Sequence, residues 1–326
     1  MRTFRRLKVL LASRALFNNW LSVGIKYYLK SHNLIHGNYV YVICKDGSKN
    51  VIPLKAYSIL VSDYYDGYLT SYNCKNNVVT YIGNVNIPIY IIEVSNIDVK
   101  TLIQNGWVYD FVGGFWFRGG VRFRRLRGTV LEVFDYGEYG SLDVVGRVVV
   151  DVGAYIGDSA IYFALRGAKR VIAVEPHPNA YAEMLDNIRL NNLEDIITPI
   201  NAGLASKPGK ICINNVDLDA TVVTYHRPGN CNSGIPAVTL GELMSRFSIN
   251  GDEAVLKMDC QGCEFDVILN DYEHVRLFKE LIFEYHPYAV NKPVNALLRT
   301  LQRDYQCEVE GSRNRGVAHC IKRQAQ

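Results

Sequence analysis

Two carboxylates stand where apolar runs give way to turns. In Val148-Val-Val-Asp151-Val-Gly153-Ala154-Tyr155-Ile-Gly157-Asp158-Ser159, an apolar strand ends in an acid, a glycine turn follows and a helix begins. Arg170-Val-Ile-Ala-Val-Glu175-Pro176 repeats the strand-to-acid pattern. An acid ending a buried strand costs desolvation unless something answers it, and open α/β sheets bind ligands beyond the carboxyl ends of their strands. Gly153 lets backbone come close to a ligand, and the helix start near Gly157 offers free N–H groups to a carboxylate or phosphate. Ser159 either caps that helix beside Asp158 or reaches a ligand carboxylate. Glu175 suits the two hydroxyls of a ribose, because charge-assisted hydrogen bonds are the strong ones.

The dinucleotide fingerprint also places an acid after a glycine turn, but Tyr155 replaces its middle glycine and would crowd a pyrophosphate. Asp151 is equally ill placed beside phosphates. A cationic, adenosine-bearing ligand without phosphate meets these demands, and S-adenosylmethionine is one. Asp259, Glu264, Glu284 and His286 map to the carboxyl ends of later strands or the turns after them. A hydroxyl attacking a methyl group must lose its proton, and a positioned base is worth roughly 10²–10⁴-fold. Asp259 is the first candidate for that base and His286 the second; Glu264 is a third, with an equal claim to complementing a helix dipole. Cys260-Gln-Gly-Cys263 has the spacing of a metal or redox pair, but no second pair accompanies it, so no metal site is expected and both thiols are expected to be buried small side chains.

These groups need a scaffold. After Gly146, strands alternate with amphipathic helices, which implies a parallel sheet covered on both faces. The closing strands, 306–310 and 317–321, suit an antiparallel edge hairpin. Residues 38–135 read as short strands between glycine turns, a small β-rich (α+β) domain in which no chemistry stands out. Residues 1–37 hold an amphipathic, basic helical stretch over 8–30, expected mostly to pack on its own domain. The division is therefore 1–37, 38–135 and 136–326. Charge follows it: residues 1–150 carry 18 basic and 10 acidic side chains, and residues 151–326 carry 18 and 22. Five arginines and no acid lie in 118–127, a surface for an anionic partner or a solvated face. No apolar run reaches the ~20 residues of a membrane span. With eight cysteines and no recognisable signal peptide, the expectation is a cytoplasmic protein with mostly reduced thiols.

From about residue 130 to 321 the chain resembles the FkbM-type methyltransferases, S-adenosylmethionine-dependent enzymes of the class I Rossmann-like fold. Asp151 to Asp158 is similar to the family's first motif, and Ile172-Ala-Val-Glu175-Pro176-His-Pro178 to its second. Asn201-Ala202-Gly-Leu204 resembles the segment lining the adenine, and Val238 to Leu243 the element before the fourth strand. Leu256-Lys257-Met-Asp259-Cys-Gln-Gly262-Cys-Glu264 resembles the Lys-x-Asp-x-Glu-Gly-x-Glu signature, and Ile282-Phe-Glu284-Tyr-His286 the fifth strand. The resemblance implies a doubly wound, mostly parallel sheet with an antiparallel edge hairpin. It implies a cofactor set of Asp151, Gly153, Ala154, Tyr155, Gly157, Ser159, Glu175, Pro176, Asn201 and Ala202. It further implies O-methylation of a sugar, glycan or other small metabolite, an anionic acceptor being one option. Gln261 stands where the family has glutamate, which argues against a base or metal role there, and Tyr155 where asparagine is common. Two other functions compete: an RNA methyltransferase using the basic first part, and a cofactor-binding protein that has lost catalysis. The acceptor is expected to be chosen by residues 1–145 and the loop 215–237.

Overall fold

The computed structural model describes residues 2–94, 98–212, 227–228 and 234–324. The chain divides into two compact units, Met1–Gly128 and Thr129–Gln326.

The first unit begins with two helices, Arg2–Leu16 and Trp20–Ser31, rather than one continuous helix over 8–30. The break has a local cause. Phe17 is fully buried and bridges to Cys44, and the Asn19 side chain donates to the Tyr41 carbonyl (3.0 Å) and accepts from the Ile43 amide (2.8 Å). The hairpin Tyr39–Ile43/Lys49–Pro53 follows. Then come helix Leu54–Tyr65, the three-stranded meander Leu69–Asn73, Val78–Tyr81 and Val85–Pro88, and the short helices Ile89–Val94 and Val99–Gln104. A second meander, Val108–Asp110, Phe115–Arg118 and Val121–Phe123, carries the arginine run. Within the stretch 38–135, read from sequence as short strands, the chain turns helical after Pro88. Helix Leu54–Tyr65 was not anticipated, although Ala56, Tyr57, Leu60 and Val61 give it a buried stripe at helical spacing.

The second unit is built on a seven-stranded sheet, whose strands we label β1 (Val148–Val152), β2 (Arg170–Val174), β3 (Ile197–Ile200), β4 (Ala254–Met258), β5 (Glu280–Tyr285), β6 (Tyr305–Gly311) and β7 (Gly316–Lys322). Their order is β3-β2-β1-β4-β5-β7-β6. β1 to β5 are mutually parallel, and β7 and β6 are antiparallel, as the sequence led us to expect. β4 and β5 are buried along their whole length, the mark of parallel strands covered on both faces. Helices α1 (Asp158–Leu165), α2 (Pro178–Leu190), α3 (Leu240–Phe247), α4 (Cys263–Asn270) and α5 (Asn295–Leu301) accompany the sheet. α3 opens with a reciprocal cap between Thr239 and Glu242. The order reverses between β1 and β4, which makes their carboxyl ends the topological switch point. A small four-stranded sheet pairs Gly203–Leu204, Gly234–Val238, Gly209–Cys212 and Arg227–Pro228. The loop expected to choose the acceptor, 215–237, falls largely outside the described residues.

The cysteines correct the sequence-based expectation of reduced thiols. Cys44–Cys74, Cys260–Cys263 and Cys307–Cys320 are disulfides, and Cys212 is also disulfide-bonded. Strand pairing explains one of them: Cys307 and Cys320 are direct neighbours across the β6–β7 hairpin. Spacing along the chain does not reveal such a register. No helix among the described residues is long and apolar enough to cross a membrane.

Candidate active site

The β1–β4 register sets Asp151 beside Lys257. Both side chains are buried, and the lysine ammonium lies 3.0 Å from Asp151 Oδ1. It also donates to the Gly153 carbonyl at 2.9 Å. The Ser159 hydroxyl donates to Asp151 Oδ2 at 2.7 Å. Burial pulls the Lys257 pKa down, but the Asp151 charge outweighs it and leaves the ammonium more firmly protonated than usual. The negative charge that seemed to await a cationic ligand is thus already matched inside the sheet. Lys257 is the main functional side chain that sequence reasoning passed over. Its signal was a lysine in an otherwise apolar strand.

Gly153 has φ +74°, and a Cβ there would stand 1.8 Å from the Asp259 carbonyl oxygen. The glycine is needed first for the close passage of the β1 and β4 ends, where the Asp259 amide donates to the Val152 carbonyl at 2.9 Å.

At the end of β2, Glu175 is buried and accepts from two backbone amides, Tyr155 (2.9 Å) and His177 (2.7 Å). Burial raises its carboxyl to about 7, against those two hydrogen bonds. Tyr155 takes a positive φ of 47° in making this contact, and Gly157, at φ +87°, starts α1. Asn201, after β3, donates to the carbonyls of Glu175 (2.9 Å) and Pro176 (3.2 Å). Ala154 and Ala202 are buried. The ten residues read from sequence as a cofactor set therefore all lie at the ends of β1, β2 and β3 or at the start of α1.

Asp259, Glu264 and His286 also come together, past the ends of β4 and β5. Glu264 is fully buried and accepts from the Gly262 amide (2.8 Å) and the His286 amide (2.9 Å), tying the turn after β4 to the turn after β5. Its Oε1 lies 3.4 Å from His286 Nδ1. His286 Nε2 stands 3.3 Å from Glu284 Oε2 and 3.9 Å from Asp259 Oδ1. Burial would lower the histidine pKa, but Glu264, Glu284 and Asp259 together carry it up to about 10. Burial and then the Glu284 charge push Asp259 well above the usual carboxylate range. Burial would do the same to Glu284, but hydrogen bonds from His286 and Arg315 hold it low. Arg315, in the β6–β7 turn, bonds Glu284 through Nε, and the Tyr139 hydroxyl bonds Asp259 Oδ2 at 3.3 Å. Neither partner carried a signal in the sequence, because each arrives from a loop distant along the chain.

Residues 151–307 match the methyltransferase FkbM domain. A ribosomal protein L11 methyltransferase of Carboxydothermus hydrogenoformans is 46% identical over 59 residues, 18% of this chain and 19% of that protein. The chain thus spans about a fifth of the length of the curated relative it matches. Two solved structures are similar at low identity. The ribosomal protein L11 methylase of Lactobacillus delbrueckii subsp. bulgaricus is 13% identical with a TM-score of 0.36, over 63% of this chain and 83% of that one. The precorrin-6y C5,15-methyltransferase of Geobacter metallireducens is 12% identical with a TM-score of 0.36, over 59% and 88%. Across residues 151–307, which run from β1 into β6, the second unit is similar to the methyltransferase FkbM domain.

Proposed function

We propose that this protein transfers the methyl group of S-adenosylmethionine to a hydroxyl oxygen of a sugar, glycan or other small metabolite. The observation that carries the cofactor is Glu175. Each of its oxygens accepts one backbone N–H, and a carboxylate oxygen has two lone pairs, so each keeps one acceptor position for a ribose hydroxyl. Glu284 and Glu138 both raise the Asp259 pKa, and Glu284 raises that of Glu138, so this cluster suits a ligand that carries positive charge. Gly153, Ala154, Tyr155 and Gly157 supply the turn against which the ligand's amino-acid end would lie. Ser159 supports that turn through Asp151, and Pro176, Asn201 and Ala202 border the adenine side.

When bound, the cofactor supplies an electrophilic methyl on a sulfonium. The chain's part is to hold the acceptor oxygen in line and to receive its proton. Asp259 is the first candidate for that proton, since its Oδ1 is buried without a hydrogen-bond partner; His286, which its carboxylate neighbours hold protonated, is the second and serves only once its own proton has left, with Glu264 beside its ring.

One observation favours a second reading, an RNA acceptor. In the second meander of the first unit, exposed Phe117 pairs with exposed Arg122, a combination that stacks bases and contacts phosphates. Calorimetry with S-adenosylmethionine, followed by transfer of a labelled methyl to separate carbohydrate, lipid, RNA and protein pools, tests both. Label in carbohydrate or lipid supports the proposal, and label in RNA the second reading. Cofactor heat without label would mean a binding protein that no longer catalyses. Absence of cofactor heat would end the proposal.

A further inference from the structure

We propose that Asp259, Glu284 and His286 form a binding site for one divalent cation of the Mn²⁺ type. One ligand atom from each lies within 4.8 Å of the others. The atoms that converge are Asp259 Oδ1, Glu284 Oε2 and His286 Nε2. In two of the residues the remaining polar atom is hydrogen-bonded from outside, and in the third it faces a carboxylate without a hydrogen bond. Asp259 Oδ2 takes the Tyr139 hydroxyl, Glu284 Oε1 takes Arg315 Nε, and His286 Nδ1 faces Glu264 Oε1 at 3.4 Å.

Metal-binding histidines characteristically turn their other ring nitrogen to a carboxylate, which fixes the ring and raises its basicity. Here Glu264 is itself fixed by two backbone amides, so the ring's direction is set before any ion arrives. Asp259 Oδ1 is buried without a hydrogen-bond partner and faces His286 Nε2 at 3.9 Å. Two carboxylates match the ion's charge, and an imidazole beside oxygen ligands suits Mn²⁺ or a neighbouring transition ion better than Ca²⁺. Three protein ligands leave coordination positions for water or for oxygens of an acceptor. Under the proposed O-methyl transfer, on which this last clause rests, the ion would orient a hydroxyl-bearing acceptor and make its proton more acidic, with Asp259 and His286 then serving as ligands rather than as the free base. The Gln261 amide nitrogen, 3.1 Å from His286 Nε2, must move aside. A carboxylate in its place would add a ligand.

The test is titration of Mn²⁺ into the full chain with its disulfides intact, read as loss of the free-ion electron paramagnetic resonance signal. Cofactor calorimetry runs on the same sample. One ion per chain is expected. Asp259→Asn and Glu284→Gln should each weaken binding at least tenfold, and Glu264→Gln, acting through the histidine, about 10–100-fold. Gln261→Glu should tighten it, a gain that misfolding cannot imitate. No bound Mn²⁺ would overturn the site. So would binding that survives both ligand substitutions, because it would place the ion elsewhere, as at Asp271, Glu273 and His274. Mn²⁺ binding without cofactor heat would leave the site standing and remove the methyl-transfer reading; cofactor heat without Mn²⁺ would do the reverse.

Discussion

Asp151 and Asp259 hold comparable places, one near the end of β1 and the other just past the end of the neighbouring strand β4, yet the chain treats them differently. Asp151 is sealed. Lys257 lies 3.0 Å away on the adjacent strand, and Ser159 donates to its second oxygen. Asp259 is left partly open, its side chain about a quarter exposed, with Oδ1 3.9 Å from His286 Nε2 and two further acids, Glu284 and Glu138, acting on it. A buried charge with its partner built in serves as scaffold, while a carboxylate whose environment is left incomplete is free for a ligand or a proton. The difference separates the side of the site that must be rigid from the side that must react.

The largest expected effect comes from breaking the sealed side. Lys257→Met leaves Asp151 buried without its cation, and removing one partner of a buried pair costs about 3–5 kcal/mol. Urea unfolding of the oxidised full chain should show that loss, and adding Asp151→Asn should recover part of it. A loss below about 1 kcal/mol would mean that the pair behaves like an exposed one and that the two aspartates are not treated differently after all.

The sheet and the place of the site were legible in the sequence, the contrast between the two aspartates was not, and the limits are physical. Alternating strands and helices after Gly146 gave the parallel sheet and its edge hairpin, because periodicity reports burial directly. The acids at the carboxyl ends of strands marked the site, because an acid there violates the apolar pattern. Pairing across strands was not legible. Asp151 and Lys257 are 106 positions apart in the chain and meet only through the β1–β4 register. Cys307 and Cys320 meet only through the β6–β7 register. Gly153 was read as room for a ligand, whereas the atom nearest its missing side chain is the Asp259 carbonyl. In the first unit, short local elements such as Leu54–Tyr65 and the turn to helix at Ile89 depend on packing that a short window of sequence does not contain.

A smaller effect should follow from loosening the open side. Cys260–Cys263 closes the turn that carries Gln261, at φ +54°, and Gly262, at φ +120°. Closing so short a loop removes little entropy from the unfolded chain, and Cys260→Ala with Cys263→Ala should cost about 2 kcal/mol. If the turn serves only the open side, Mn²⁺ affinity should fall in this variant while cofactor affinity holds. Equal losses of both would show that the two sides are one mechanical unit.

Glu175→Gln probes the cofactor side directly. It keeps shape but replaces a charged acceptor, and a hydrogen bond to a charged group is worth about 1.5 kcal/mol more than none. Calorimetry at pH 8 should show S-adenosylmethionine affinity about tenfold weaker. Unchanged affinity would remove Glu175 from the ribose and leave it as a clamp for the Tyr155 and His177 amides.

The smallest effect, and the most specific, is the pH dependence that Glu175 imposes. Burial raises its carboxyl from the ordinary 4.5 to about 7. Between those values the folded chain holds a proton that the unfolded chain has released. The contribution of this group to stability is therefore greatest at the acid end of the window and falls as pH rises toward 7. Cofactor affinity should run the other way, because the ribose hydroxyls are better held by the ionised form. With a pKa near 7, the ionised fraction drops from most at pH 8 to about a tenth at pH 6, so affinity should weaken about fivefold over that range. Calorimetry and urea unfolding at matched pH values should show the two opposed trends in the wild type, and both should flatten in Glu175→Gln. Trends that run in parallel, or a wild-type slope retained in the variant, would assign the titration to another group and separate Glu175 from the ribose.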